Sequence, residues 1–324
     1  MASRKARRAP RATHRHSSGT GSSITWNSGS SNVGTGDAGA NGAFGTWRGA
    51  PCDFMGTWSD PHLDAALAFW QFDTGAPYDS WTGSCDVTIG GVWPYDGDSW
   101  AAAAAGTYDS RWTTIFQNLK AYWTNKSRGT VYVRPWHEMN GNWMTWSIAP
   151  ANIADSITAW RRIYAVKQSA FPACQLVFGT SGATVGQPYD WRTLWPGDAY
   201  VDVYSTDWYS GHWQLAPNGP EVDGYGGPTG LGAHLAFAAA HGKPMGISEW
   251  QDNFGEGGDL PNYMTYMHDF MSANGSKTPV AGKILYDAMF NVQEATPPNP
   301  WAIFPEADTS MPLAAARYRT LWAT

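Results

Sequence analysis

Residues 130–138 read TVYVRPWHE, and the two halves of that stretch make opposite demands. Val131, Tyr132 and Val133 are β-branched or aromatic, as a short buried strand requires. Arg134, His137 and Glu138 then crowd its end. Ionisable groups in that position cost desolvation energy and persist where chemistry uses them. The architecture that places reactive side chains at the carboxyl ends of buried strands is the α/β barrel.

Seven further short apolar runs flank this one: 44–48 (FGTWR), 52–58 (CDFMGTW), 87–93 (VTIGGVW), 174–181 (CQLVFGTS), 201–208 (VDVYSTDW), 244–250 (PMGISEW) and 282–290 (GKILYDAMF). Each suits a strand and is too short for an ordinary helix. Helical patterns separate most of them: PHLDAALAFW, RWTTIFQNLKAYW, NIADSITAWRRIYAVKQSA, GLGAHLAFAAAHG and PNYMTYMHDFMSA. In the third, Ile153, Ile157, Trp160, Tyr164 and Ala165 are spaced to share one face, and Asn152 is placed to cap its start. Eight strand candidates alternating with helices predict a (β/α)8 TIM barrel forming a single catalytic domain, with a doubly wound sheet as the other arrangement. The gap between 44–48 and 52–58 leaves no room for a helix.

The chain has 324 residues, enough for one such barrel. Residues 1–22 are basic, then Ser/Gly-rich, and read as a disordered tail; residues 23–324 form the catalytic domain, with order expected from about Phe44. QLAPNGPEVDGYGGPTG at 214–230 reads as a long loop. The net charge of −6 includes Arg4, Lys5, Arg7, Arg8, Arg11 and Arg15, leaving about −12 for the rest. An acidic body repels phosphates, so nucleic acid is not the expected partner. Hydrophobic residues make up 43% and 20 are Trp, flat faces suited to stacking on sugar rings as well as to packing. No run of 18 apolar residues is present, so no membrane partner is expected. The start resembles the basic region of an export signal, but polar SSGTGSS follows where an apolar segment belongs.

Three cysteines permit one bridge within the chain, and Cys52 with Cys85 is the nearer pair in sequence. The His137-Glu138 pair invites a zinc reading, but Gly141 stands where an H-E-x-x-H helix needs its second histidine, so no metal is expected. GYGGPTGLG from Gly224 has Thr229 in place of the third glycine of a dinucleotide fingerprint and reads as loop.

Two carboxylates facing each other across a cleft are the machinery of glycosidic bond cleavage, and Glu138 and Glu249 both follow predicted barrel strands. RPWHEMNGNW at 134–143, DWY at 207–209 and ISEW at 247–250 together resemble glycoside hydrolase family 26, best known for β-mannanases, in the clan of retaining (β/α)8 glycosidases. The resemblance runs from about Phe44 to the last strand. It implies that Glu138 is the acid/base and Glu249 the nucleophile. Arg134 and His137 would support the centre, Asp207 and Tyr209 would steady the nucleophile, and Trp143 would form a sugar platform. Trp93, Trp208, Trp250 and Phe290 complete the expected binding and supporting set.

Two departures from the family pattern bear on the substrate. Trp93 is followed by Pro94 where a Trp-His pair is usual, and Phe290, ahead of Asn291, replaces the Trp expected near the last strand's end. The expected activity is endo-acting, retaining hydrolysis of a plant or microbial polysaccharide. β-1,4-Mannan leads; endo-β-glucanase, β-xylanase and a silent polysaccharide-binding protein are the alternatives. The resemblance further implies a secreted monomer that needs no cofactor.

Overall fold

The computed structural model describes residues 24–31, 42–59, 67–91, 97–182, 184–211, 222, 226–292 and 297–323. Eight parallel strands close into a barrel in sequence order: β1 (Asn27–Ser31), β2 (Phe54–Trp58), β3 (Ser84–Ile89), β4 (Val131–Pro135), β5 (Gln175–Ser181), β6 (Val203–Tyr209), β7 (Met245–Gln251) and β8 (Ile284–Phe290). The described helices are α1 (Ala43–Arg48), α2 (Trp100–Ala105), α3 (Asp109–Lys126), α4 (Ile153–Ala170), α5 (Leu231–Ala240), α6 (Phe254–Gly257), α7 (Pro261–Asn274) and α8 (Pro312–Trp322), alongside short 3-10 turns. The (β/α)8 barrel expected from the alternation is therefore present.

The first strand is not where the sequence put it. FGTWR lies inside helix α1, while NSGSS, expected to precede the ordered barrel, forms β1 between β2 and β8. Ser, Gly and Asn are poor strand formers in isolation. Large rings fill the interior at the amino-terminal end of the barrel: Phe54 stacks on Tyr286 with centroids 4.1 Å apart, and Tyr132 lies 5.1 Å from Tyr286. A Cβ on Gly29 would sit 1.6 Å from the Phe54 carbonyl oxygen, so the close approach of β1 to β2 requires glycine at that position.

Helix α4 shows a second correction. Its core face is Ser156, Ala159, Trp160, Ile163 and Lys167, so the predicted stripe is rotated: Ala165 is exposed and Ile153, Ile157 and Tyr164 are half-buried. Lys167 can sit in that face because its ammonium meets Asp202 at 2.9 Å. Asn152 precedes the helix without a capping side-chain hydrogen bond. Cys52, Cys85 and Cys174 are all thiols, so the Cys52–Cys85 bridge is not formed. The tail 1–22, Trp93, most of the predicted helix at 61–70 and most of the loop at 214–230 lie outside the described residues.

Candidate active site

Arg134 organises the carboxyl end of the barrel. It points inward from β4 and is almost wholly buried, and the space beside it comes from Gly179 of β5, where a Cβ would meet the arginine Cδ at 2.6 Å. Its Nη1 donates to both oxygens of Asp207, at 2.7 and 2.6 Å, its Nη2 donates to Glu249 Oε1 at 2.6 Å, and its Nε donates to Thr88 Oγ1 at 3.0 Å. Asp86 Oδ1 lies 3.6 Å from Nε. Burial alone would weaken the guanidinium's hold on its proton, but the charges of Asp207, Asp86 and Glu249 reverse that and keep it cationic.

Glu249 reaches this cluster through a break in strand pairing. Thr206 pairs with Ile247, and the next residue of β6, Asp207, pairs with Glu249, so Ser248 is an extra residue in β7. In a regular strand Ser248 and Glu249 would face opposite ways. The bulge lets both reach the barrel interior, where Ser248 Oγ donates to Asp86 Oδ2 at 2.6 Å while Glu249 meets Arg134. Tyr209 donates to Glu249 Oε2 at 3.0 Å, and Trp58, last residue of β2, donates its indole N–H to Oε1 at 3.1 Å. Burial pushes the Glu249 carboxyl up, but the charge of Arg134, with the hydrogen bonds from Arg134 and Tyr209, brings it below the ordinary glutamate range.

Glu138 stands on a tight turn just past β4. Trp136 and Glu138 both adopt left-handed backbone, with φ of 55° and 54°, a conformation costly for residues bearing a Cβ. Trp136 is locked beneath the turn, edge-on to Trp100 at 4.6 Å, and Trp146 donates to the His137 carbonyl at 2.7 Å. Among the described residues, the Glu138 carboxyl accepts a side-chain hydrogen bond from Trp143 Nε1, to Oε2 at 2.7 Å. Burial, then the nearby charge of Glu249, raises its pKa to about 7, against the smaller opposing effects of Trp143 and Arg134. Burial pushes His137 down to about 3, so its ring is neutral at neutral pH.

The fold thus brings together Arg134, His137, Glu138, Trp143, Asp207, Tyr209 and Glu249. Trp143 is 46% exposed, with its indole over the backbone of Gly141. Phe290 ends β8 and meets Trp58 and Tyr209 edge-on at 5.5 and 5.8 Å. Trp208 and Trp250, expected in the binding and supporting set, are buried on the outer side of their strands, Trp208 against His234, and Trp250 bonded to Asp287 and stacked on Trp322. They pack the barrel against its helices and do not line the cleft. Sequence reasoning missed Trp58, although its place at the end of a predicted barrel strand was a usable signal, and it missed Asp86 and Ser248, which carry no local pattern.

A (β/α)8 barrel with two carboxyl groups in contrasted environments at the ends of β4 and β7 defines the class: a barrel of the paired-carboxylate kind. Comparison with known proteins narrows it. Residues 111–219, about a third of the chain, match the profile of glycosyl hydrolase family 26. The matched segment holds Arg134, His137, Glu138, Trp143, Asp207 and Tyr209. A 110-residue stretch is 30% identical to Endoglucanase H of Acetivibrio thermocellus, covering 32% of this chain but only 12% of that protein's length. Among solved structures, the catalytic domain of the Bacillus sp. JAMB-750 GH26 endo-β-1,4-mannanase superposes with a TM-score of 0.61 at 14% identity, covering 94% of this chain and 87% of that one. A Cellulomonas fimi endo-β-1,4-mannanase double mutant gives 0.59 at 16% identity, with coverage of 91% and 70%. At those identities the likeness is one of fold.

Proposed function

We propose that the chain is a retaining, endo-acting β-glycoside hydrolase in which Glu249 is the nucleophile and Glu138 the acid/base. The observation that carries the reading is the split between the two carboxyls: one holds its proton to about pH 7, the other is kept ionised beside Arg134. Oε2 of Glu249, which accepts from Tyr209, is the attacking atom; Oε1 is occupied by Arg134 and Trp58.

In the first step this oxygen bonds to the anomeric carbon as the bond to the leaving oxygen breaks, and Glu138 gives its proton to that oxygen. Esterified Glu249 is neutral, so its push on Glu138 disappears and the Glu138 carboxylate becomes stable. It then removes a proton from water, whose oxygen attacks the anomeric carbon and frees Glu249. One water is consumed and the configuration is retained.

The leading substrate is β-1,4-mannan, in line with the mannanases that share the fold, and β-1,4-glucan is the second reading, favoured by the similarity to Endoglucanase H. The enzyme is expected to act outside the cell as a monomer. Incubation with mannan, glucomannan, xylan, lichenan and laminarin, with sizing of products, tests both readings. Glu138→Gln and Glu249→Ala should each lower hydrolysis of unactivated polymer by about 10²–10⁴-fold. Undiminished turnover in either variant removes its assigned role, and inverted product anomers remove the covalent intermediate.

A further inference from the structure

The last strand ends in Phe290 where the resemblance led us to expect a tryptophan, yet a tryptophan reaches the same place from the following loop. Trp301 lies 5.8 Å from the Tyr209 ring at 89° and 6.2 Å from Phe290 at 77°, and Phe290 and Tyr209 meet each other at 5.8 Å and 73°. The three rings form a closed edge-to-face triangle, a favourable geometry for aromatic groups. Trp58 extends it past Phe290. Both outer corners touch Glu249, Tyr209 at Oε2 and Trp58 at Oε1.

The loop bearing Trp301 is held in shape by two asparagines. Asn291 accepts at Oδ1 from the Ile303 and Phe304 N–H groups, each at 3.0 Å, and returns a bond from Nδ2 to the Phe304 carbonyl at 3.0 Å. Asn299 accepts from the Trp301 N–H at 2.9 Å. Both are almost fully buried, while Trp301 itself stays half-exposed. A partly open indole on a preorganised loop loses little freedom on binding.

We propose that Trp301 is a specificity-determining residue that stacks on a pyranose ring of a β-linked glycan on the glycone side of the cleavage point. The side follows from the chemistry, and so rests on the hydrolase reading. The acid protonates the oxygen that leaves, so the departing part of the chain lies towards Glu138 and Trp143, whereas the ring that is attacked, and those beyond it, lie along the wall around Glu249. Trp301 thereby supplies from the loop the flat surface that Phe290 offers only in part, and the binding surface is displaced away from the end of β8.

The test is titration calorimetry of mannotetraose, cellotetraose and xylotetraose into the Glu138→Gln protein, alone and combined with changes at Trp301. Trp301→Ala should weaken the bound tetraose about tenfold, and Trp301→Phe, which keeps a flat face, should restore most of that loss and control for misfolding. Equal affinity with and without the indole overturns the proposal. In otherwise native protein, Trp301→Ala should raise KM on the polymer more than it lowers kcat. If the parent binds a tetraose but hydrolyses no polymer, the hydrolase reading fails while the stacking role is still measured. If it binds none of the three and cleaves none of the polymers, both fail.

Discussion

Glu138 and Glu249 are the same side chain in two environments, and nearly everything that distinguishes them comes from the backbone that carries them. Glu249 sits inside the barrel on a bulged strand and receives Arg134, Trp58 and Tyr209. Glu138 sits on a left-handed turn outside the strand and receives Trp143. Among the described residues, Glu249 has three donors including a full positive charge, which stabilise a carboxylate, whereas Glu138 has one neutral donor in a partly dry site. Under the proposed mechanism, the number and charge of these donors, set by strand geometry, decide which glutamate attacks and which protonates.

Removing the arginine breaks this contrast most completely. Arg134→Met should leave Asp207, Glu249 and Asp86 without their cation, lowering stability by about 3–5 kcal/mol and abolishing measurable hydrolysis. Urea denaturation and polymer assays on the purified variant check both. An Arg134→Met protein of unchanged stability would mean that the cluster is held by something else.

Glu138 gives the next effect. Its pKa is raised in the folded chain, from 4.5 to about 7, so the folded state binds a proton more tightly than the unfolded state over that interval. Stability must then fall as pH rises from about 4.5 to about 7 and stay lowered above it. Glu138→Gln should remove that loss, a gain on the order of 1–3 kcal/mol at pH 8 and little at pH 4. Thermal unfolding at the two pH values reads the difference, and in the parent enzyme kcat/KM should decline above about pH 7 for the same reason.

The smallest effects sharpen the comparison. Trp58→Phe removes a donor to Glu249 and should move the acidic limb of the pH profile upward; Trp143→Phe removes the donor to Glu138 and should move the alkaline limb upward. Each shift should be a few tenths of a pH unit, since one neutral hydrogen bond contributes about 1 kcal/mol or less. The first narrows the active range and the second widens it. Both limbs moving together in either variant would show that the two carboxyls titrate as a single unit.

What could be read from the chain divides along physical lines. Strands β2 to β8 announce themselves because their outward residues must be apolar to pack under helices, and Val131 and Val133 beside Arg134 are the clearest case. Strand β1 does not, because Ser, Gly and Asn carry no strand signal and Gly29 answers to the Phe54 backbone, a neighbour from another part of the chain. The turn bearing Glu138 was legible as RPWHE, a contiguous signal. The position of Glu249 was legible only as the seventh strand's end, since the bulge that turns it inward depends on pairing with β6. Trp208 and Trp250 adjoin the site in sequence but, by strand alternation, face the helices.

The left-handed turn at Trp136 and Glu138 bears on how such a scaffold changes over time. Two strained residues, each costing about 1–3 kcal/mol, are tolerable only while Trp100, Trp146 and the rest of their packing are in place. Single replacements beneath that turn therefore damage folding before they can alter chemistry. The loop carrying Trp301 lies on the opposite wall and contributes nothing to that packing. Under the proposed reading, substitutions in that loop can change which glycan binds, one residue at a time, without disturbing the β4 turn.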